Sequence, residues 1–194
     1  MALQQLDDQY HTYADYLTWP DDVRYELIDG VAYLMSPAPT RSHQRFAGQI
    51  FRQVANALDG KPCEAYIAPF DVLLPKGTQA DEQVDTVVQP DLLVVCDRSK
   101  LDERGLHGAP DWVVEVLSPS TAGHDQTVKL AAYERAGVPE VWLVHPTDKV
   151  LTIYRLQGDG YGRPQVCELE GQSQIAQLPG VAIDWDHLLA QLVE

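Results

Sequence analysis

Basic residues, cysteines and long apolar runs are scarce in this sequence. Lysine and arginine number 14 against 29 aspartates and glutamates in 194 residues, which gives a net charge of -15 at pH 7. This balance argues against a protein that binds nucleic acid or a membrane through the electrostatic attraction of its overall charge. It does not exclude a local basic patch. No run approaches the roughly 18 apolar residues of a membrane span, and residues 1–10 lack the apolar segment of a secretory signal.

The three cysteines, Cys63, Cys96 and Cys167, are far apart and form neither a CxxC pair nor a zinc-binding pattern. Two of them lie in apolar, strand-like runs, which is typical of buried structural thiols. Free thiols are typical of a reducing compartment, so we expect a cytoplasmic protein. Glycine-rich phosphate loops, the nucleophile elbow GxSxG and the zinc motif HExxH are all absent from the sequence.

Composition and periodicity together predict one α/β domain over residues 1–194. Hydrophobic residues make up 45% and charged residues 22%, and glycine and proline are scattered without repeats. Apolar spacing predicts helices at 40–58, 125–136 and 184–192, and strands at 24–28, 31–35, 87–96, 111–117, 141–145 and 150–156. Residues 64–75 hold two further short strands, which Pro69 separates. Asp29-Gly30 favours a type I′ hairpin turn. This order predicts an α/β sandwich, with a central mixed sheet flanked by helices and covered on both faces.

Two carboxylates interrupt predicted apolar strands. Asp91 lies in the run 87–95, and Glu115 lies in the run 112–117. An unpaired buried carboxylate is costly, so each needs a cation, a metal or a hydrogen-bond donor unless it lies at an exposed strand end. If the two strands are adjacent, the acids share one site, where oxygen ligands suit Mg²⁺ or Mn²⁺ better than zinc.

Lys129 lies on the same face of its predicted helix as Ala132, Tyr133 and Ala136, the face expected to contact the sheet. Lysine is rarely buried without a partner. One interpretation is a cation that reaches the carboxylate site and stabilises developing negative charge. The other is an exposed pair with Asp125, one helical turn earlier.

The first long helix carries a basic face and one histidine on its apolar side. Arg41, Arg45 and Arg52 share the outer face, which could bind phosphate or could simply be solvated. His43 falls on the apolar side, where a satisfied core residue and a site residue are both open interpretations. Glu26 alternates with Ile28 and is either directed inward or exposed on its strand.

Several segments resemble the Uma-two family, described as "putative restriction endonucleases" and placed in the PD-(D/E)XK nuclease superfamily. The resemblance runs from about residue 24 to residue 155. It is carried by YELIDG at 25–30, QPDLLVV at 89–95, PDWVVEVLSPST at 110–121, and the stretch from Asp125 through Lys129, Tyr133 and Gly137 to VWLV at 141–144. The resemblance implies a restriction-endonuclease-like fold.

The resemblance also implies roles for individual residues. Asp91 of the Pro-Asp pair and Glu115 would be metal ligands. The positions where the family pattern has X-K read Val116-Leu117 here, so the cation would come from Lys129 on the next helix. Glu26 and His43 would complete the catalytic site.

The implied activity is Mg²⁺- or Mn²⁺-dependent hydrolysis of phosphodiesters, in an endonuclease acting on nucleic acid and most simply on DNA. Phosphate contacts would come from Arg41, Arg45 and Arg52 or from the loops 76–86 and 97–110, and a homodimer would allow both strands to be cut. The net charge and the acids of those loops favour two alternatives. One is a catalytically silent binding or regulatory protein with the nuclease fold, and the other is a hydrolase of a small anionic substrate.

Overall fold

The structure is a computed structural model that describes residues 4–20, 22–35, 39–119 and 122–192. The helices are α1 (Tyr13–Tyr16), α2 (Arg41–Leu58), α3 (Ala122–His124), α4 (Leu130–Ala136) and α5 (Trp185–Leu192), and a π-helical turn (Asp125–Lys129) joins α3 to α4. The strands are β1 (Tyr25–Ile28), β2 (Val31–Leu34), β3 (Glu64–Ile67), β4 (Asp71–Leu73), β5 (Val87–Val88), β6 (Leu92–Val95), β7 (Gly105–His107), β8 (Trp112–Val116), β9 (Glu140–His145), β10 (Val150–Gln157), β11 (Gly160–Tyr161), β12 (Gln165–Glu168), β13 (Gln172–Gln174) and β14 (Ala182–Asp184).

Within the described residues, the strands form a seven-stranded, a five-stranded and a two-stranded sheet. The seven-stranded sheet has the order β11-β10-β9-β8-β6-β3, with β12 beside β10. It is mixed, because β8 pairs parallel with β9 whereas β6 pairs antiparallel with β8. The five-stranded sheet has the order β2-β1-β5-β4-β7, and β13 pairs with β14.

Both faces of the seven-stranded sheet are covered by apolar contacts. Trp112 and Val114 of β8 belong to the core formed with α2 and α5, which contribute Ile50 and Trp185. Val113, on the opposite face of β8, packs in a second core with α4 and the five-stranded sheet. Successive side chains of a strand point to opposite faces, so one apolar strand supplies both cores. The predicted α/β sandwich with a covered mixed sheet is confirmed.

The local predictions for the first hairpin and the first long helix are confirmed. Asp29 and Gly30 have φ angles of 52° and 78°, as a type I′ turn requires, and they join β1 to β2. Helix α2 begins after Thr40, whose side chain accepts a hydrogen bond from His43 N and so satisfies one backbone donor of the first turn. None of the helices in the described part of the chain is long and apolar enough to cross a membrane.

The predicted strand 87–96 is wrong as one strand. β5 pairs with β1 and β4 in the five-stranded sheet, whereas β6 pairs with β3 and β8 in the seven-stranded sheet. Pro90, which stands between them, has no N–H to donate to a sheet, so the ladder breaks there. Residues 89–91 therefore cross from one sheet to the other, and Asp91 lies at this crossover instead of inside a strand.

Two other boundaries differ from the predictions. The helix predicted at 125–136 begins at residue 122 and contains the π-helical turn, and Gly137 ends it in a left-handed conformation with φ 79°. The segment 97–110, predicted as a loop, contains β7, which pairs parallel with β4. Three residues give too short an apolar pattern to be recognised.

Two cysteines predicted as free thiols are instead joined as a disulfide. Glu64 pairs with Val95 in the antiparallel β3–β6 ladder, so Cys63 and Cys96 stand opposite each other one position further along, and they are bonded. Cys167 is free and half-buried. The two cysteines are 33 residues apart, and their pairing could not be predicted from the sequence because it depends on the strand register of the folded chain. The prediction of a reducing compartment was based on free thiols, so it is no longer supported by the cysteines.

Candidate functional site

The crossover and β8 bring Asp91 and Glu115 side by side. Leu92 pairs with Val114, and one step along the same antiparallel register Asp91 faces Glu115. Val116 N donates to Asp91 Oδ2 at 2.8 Å, and Asp91 N donates to Glu115 Oε2 at 3.4 Å. The backbone thus fixes both carboxylates. Asp91 is the more accessible acid, since its side chain is 22% exposed and that of Glu115 is 3% exposed.

Lys129 lies at the centre of a buried ionic cluster. Its Nζ is 2.7 Å from Glu115 Oε1 and 2.9 Å from Glu26 Oε1, and it donates to the backbone oxygen of Gln89 at 3.4 Å. Lys129 is the last residue of the π-helical turn, a widened turn that is frequent at functional sites. The alternative of an exposed ion pair between Lys129 and Asp125 is excluded, because the lysine side chain is only 4% exposed.

Glu26 enters the cluster from β1 of the five-stranded sheet. Gln89 N donates to its Oε1 at 2.8 Å, and His124 Nε2 lies 3.5 Å from its Oε2. Burial by itself favours the neutral acid, but the charge of Lys129 and the hydrogen bonds outweigh it and lower the pKa of Glu26 to about 2. Glu26 is therefore the permanent anionic partner of Lys129, and the alternative of an exposed strand carboxylate is excluded.

Glu115 has the opposite tendency. Burial, together with the negative charges of Asp125, Asp91 and Glu26, raises its pKa well above the ordinary value, even though Lys129 opposes this. Tyr133 OH donates to Glu115 Oε1 at 2.5 Å. Burial would lower the pKa of Lys129, but Glu115 and Glu26 raise it well above the ordinary value. The cluster holds more carboxylates than one ammonium can neutralise, so it has a surplus of negative charge.

His43 reaches the same site from the first turn of α2. Its Nε2 lies 3.1 Å from Asp91 Oδ2, and its side chain is 12% exposed. Burial opposes protonation, but the hydrogen bond with Asp91 outweighs it and raises the pKa of His43. The structure thus brings together Glu26, His43, Asp91, Glu115 and Lys129.

Two of the three arginines of α2, Arg45 and Arg52, contact the C-terminal helix. Arg45 donates to the backbone oxygens of Gln191 and Leu192, at the end of α5. Arg52 Nη2 lies 3.3 Å from His187 Nε2. Arg41 is exposed in the first turn of α2. Two of the three guanidinium groups therefore have a structural contact with α5.

Sequence reasoning missed three residues of the cluster. Tyr133 lies one turn after Lys129 on the same face, so the helical wheel already placed it near the lysine without assigning it a partner. Gln89 precedes the Pro-Asp pair and participates through its backbone, which no side-chain pattern reveals. His124 of α3 contacts Glu26 of β1, and nothing in the sequence links these two positions.

The chemistry of the donors fits a hard divalent cation. Asp91 and Glu115 offer carboxylate oxygens, and Mg²⁺ commonly binds through one or two carboxylates while the remaining positions hold water or substrate phosphate. Among the described residues, Asp91 Oδ1 accepts no hydrogen bond, whereas Glu115 Oε1 already contacts Lys129 and Tyr133. No group of three or more His, Cys, Asp or Glu side chains within this part of the chain is arranged to hold a metal ion.

The fold and the site define a restriction-endonuclease-like α/β protein with a buried lysine–carboxylate cluster. A family model described as "Putative restriction endonuclease", the Uma2 family, matches residues 13–188. The chain belongs to this family.

Two relatives extend the comparison. An uncharacterized protein of Synechocystis is 27% identical over 149 residues, which are 75% of this chain and 74% of that protein. The crystal structure of a protein from Anabaena variabilis, described as "a putative nuclease belonging to DUF820", superposes with a TM-score of 0.74 at 19% identity and covers 94% of this chain and 99% of the other. At that identity the likeness shows a shared fold.

Proposed function

We propose that the chain is a metal-dependent phosphodiester hydrolase, an endonuclease that acts on nucleic acid. The observation that carries this proposal is the position of Lys129, held within 2.9 Å of both Glu26 and Glu115, the second of which accepts a hydrogen bond from the backbone N of the more accessible Asp91. The acid at the crossover, Asp91, the acid of the neighbouring strand β8, Glu115, and one lysine are the groups that phosphodiester hydrolysis of this kind requires. Membership in a family described as "Putative restriction endonuclease" supports the same assignment.

Asp91 and Glu115 would hold the cation, with Mg²⁺ or Mn²⁺ as the ions that suit two carboxylates. When bound, such a cation offsets charge on the phosphoryl oxygens and increases the acidity of water. The surplus of negative charge around Glu115 supports this assignment, because a divalent cation would relieve it.

The protein's own side chains orient the site and offset charge. Lys129 stays protonated, because Glu26 and Glu115 raise its pKa. Its ammonium would stabilise negative charge that develops on the phosphate. Tyr133 fixes the orientation of Glu115, and Val116 N fixes that of Asp91. His43, with a raised pKa, is positioned to exchange a proton through Asp91 Oδ2.

We further propose that the substrate is DNA and that Arg41 and Arg52 contribute phosphate contacts on the exposed side of α2. Arg45 and Arg52 would contribute by exchanging their contacts with α5 for phosphate. A homodimer would place two such sites on one duplex, and sedimentation of the purified protein tests that part of the proposal.

A second candidate is a nuclease-fold protein that binds a ligand without cleaving it. The observation that favours it is burial: Lys129, Glu26 and Glu115 are only 3%, 2% and 2% exposed. A substrate phosphate would meet Asp91 first, and the lysine would need an opening of the site to reach it. A small anionic substrate would enter such a site more easily than a duplex.

The experiment is a cleavage assay on plasmid, single-stranded DNA and RNA, with Mg²⁺ or Mn²⁺ and with EDTA as the metal-free comparison. We expect cleavage by the parent protein, and a rate loss of at least about a hundredfold for Lys129→Met and for Asp91→Asn. Lys76→Met is the matched control, because Lys76 also lies between two carboxylates, Asp29 and Asp85, but its side chain is 45% exposed.

Calorimetric titration with Mn²⁺ separates the two candidates. A parent that binds Mn²⁺ through Asp91 but cleaves none of the substrates would support the binding protein over the nuclease. Cleavage by Asp91→Asn or Lys129→Met at the parent rate would remove that residue from the catalytic site.

A further inference from the structure

A cavity of about 680 Å³ lies beside the ionic cluster, between α1 and the five-stranded sheet. Its walls are rich in aromatic rings, with Tyr13, Tyr16, Trp19, Tyr25 and Phe70 among them. The ring of Trp19 lies 4.9 Å from that of Tyr25 and 5.4 Å from that of Tyr16, measured between centroids. The volume is within the range of small-molecule sites, and the wall offers π surfaces against which a flat ring can stack.

One side of the cavity is polar and internally hydrogen-bonded. Gln89 Nε2 donates to Asp71 Oδ1 at 2.7 Å, and Tyr16 OH donates to the same oxygen at 3.1 Å. Arg24 Nε donates to Gln89 Oε1 at 3.0 Å. Among the described residues, Asp71 Oδ2 accepts no hydrogen bond, so this carboxylate keeps an open acceptor in the cavity wall.

Gln89 joins this cavity to the candidate catalytic site. Its side chain lines the cavity, whereas its backbone N donates to Glu26 and its backbone O accepts from Lys129. A phosphate at the cluster and a base in the cavity would thus lie on opposite sides of one residue. Arg24, Arg104 and Glu103 also border the cavity. The two arginines place positive charge beside it in an otherwise acidic chain.

We infer that the cavity binds an unstacked nucleobase of the substrate, stacked on the aromatic wall with an amino group donating to Asp71. The inference rests on the proposed nuclease function. Aromatic walls bind bases of single strands and bases turned out of a duplex, and an aspartate accepts from the exocyclic amino group of cytosine. An enzyme with this subsite reads a base next to the phosphodiester it cleaves, even though its net charge is negative.

The test is a binding measurement in EDTA, so that it does not depend on catalysis. Fluorescently labelled single strands of about 12 nucleotides are compared as oligo-dC, oligo-dT and an abasic strand of the same length. We expect oligo-dC to bind at least about tenfold more tightly than the abasic strand, and Trp19→Leu to remove that difference. Asp71→Asn should reduce the preference for dC over dT, because the amide also presents a donor that suits the thymine carbonyl.

Two controls keep the outcome clear. Trp19→Phe retains a stacking ring and should restore most of the preference, whereas Tyr154→Leu removes a half-buried ring on β10, in the other sheet, and should leave it unchanged. Equal binding of oligo-dC and the abasic strand by the parent would overturn the inference, and so would a preference that survives in Trp19→Leu.

Failure of the two proposals can be told apart. A parent that prefers bases but cleaves no strand would refute the nuclease while leaving the base site standing as a ligand site. A parent that cleaves base-bearing and abasic strands at equal rates would support the nuclease and refute the base site.

Discussion

Replacement of Lys129 by methionine tests the central electrostatic interaction of this molecule. The change removes one ammonium and leaves Glu26 and Glu115, both about 2% exposed, without their shared cation. The pKa of Glu26 is lowered from 4.5 to about 2, which corresponds to about 3 to 4 kcal/mol of stabilisation at about 1.4 kcal/mol for each pKa unit. Breaking buried ion pairs typically costs about 3 to 5 kcal/mol, which agrees.

The loss of unfolding free energy in Lys129→Met should depend on pH, in the direction that the lowered pKa of Glu26 sets. A lowered carboxylate pKa stabilises the fold above the ordinary pKa of about 4.5 and loses that effect as pH falls towards 2. In the variant, Glu26 has no cation and can become neutral by taking up a proton. The destabilisation should therefore be largest at pH 7 to 8 and smaller near pH 5. Urea unfolding in EDTA at several pH values measures it.

Lys76→Met is the matched control for this experiment as well. Lys76 Nζ lies 2.9 Å from Asp29 and 2.8 Å from Asp85, but its side chain is 45% exposed, and the expected loss is about 1 kcal/mol or less. The reasoning would be refuted by equal losses in the two variants. It would also be refuted by a loss in Lys129→Met that does not change between pH 5 and pH 8, since a packing defect has no such dependence.

Three further changes test other parts of the structure. Glu115→Gln should leave the metal-free protein at least as stable as the parent at pH 8, because the raised pKa of Glu115 makes its ionisation costly as pH rises; a loss above about 2 kcal/mol in chemical unfolding would contradict this. Tyr133→Phe should cost about 1 to 2 kcal/mol through the lost hydrogen bond to Glu115, and an unchanged midpoint of unfolding would argue against that bond. Gly105→Ala should destabilise by about 2 kcal/mol or more, because a Cβ would lie 2.2 Å from the backbone oxygen of Asp71; Gly48→Ala, in an open position of α2, should instead be neutral or stabilising, and thermal unfolding of the pair decides.

The helical part of the site was predictable because a helix repeats its faces locally. The wheel that placed Lys129 with Ala132 and Tyr133 holds in the structure, because the π-helical turn ends at Lys129 and α-helical geometry follows it. The wheel placed His43 correctly on the apolar side of α2, but it did not reveal the contact of His43 with Asp91. The wheel also placed the arginines on a common outer face, but it did not reveal that Arg45 contacts the end of α5.

Pairing between strands was less predictable. The apolar run around Asp91 predicted one strand, yet its two halves belong to different sheets, because Pro90 interrupts the ladder and the sheets compete for the same segment. The prediction that Cys63 and Cys96 are free thiols was wrong for the same reason, since only the β3–β6 register sets them opposite each other.

Local sequence patterns were enough to predict the α/β architecture, the long helix α2 and the hairpin at Asp29 and Gly30. They also singled out the acids and the lysine that do not fit an apolar environment. Those features follow from local periodicity and from the cost of burying charge. The partners that satisfy that charge are set by the folded chain, in which Glu26 comes from the five-stranded sheet, Glu115 from the seven-stranded sheet and Lys129 from the π-helical turn. Hydrogen bonds and ion pairs act over a few ångströms in space, and chain distance does not encode which distant residues meet there.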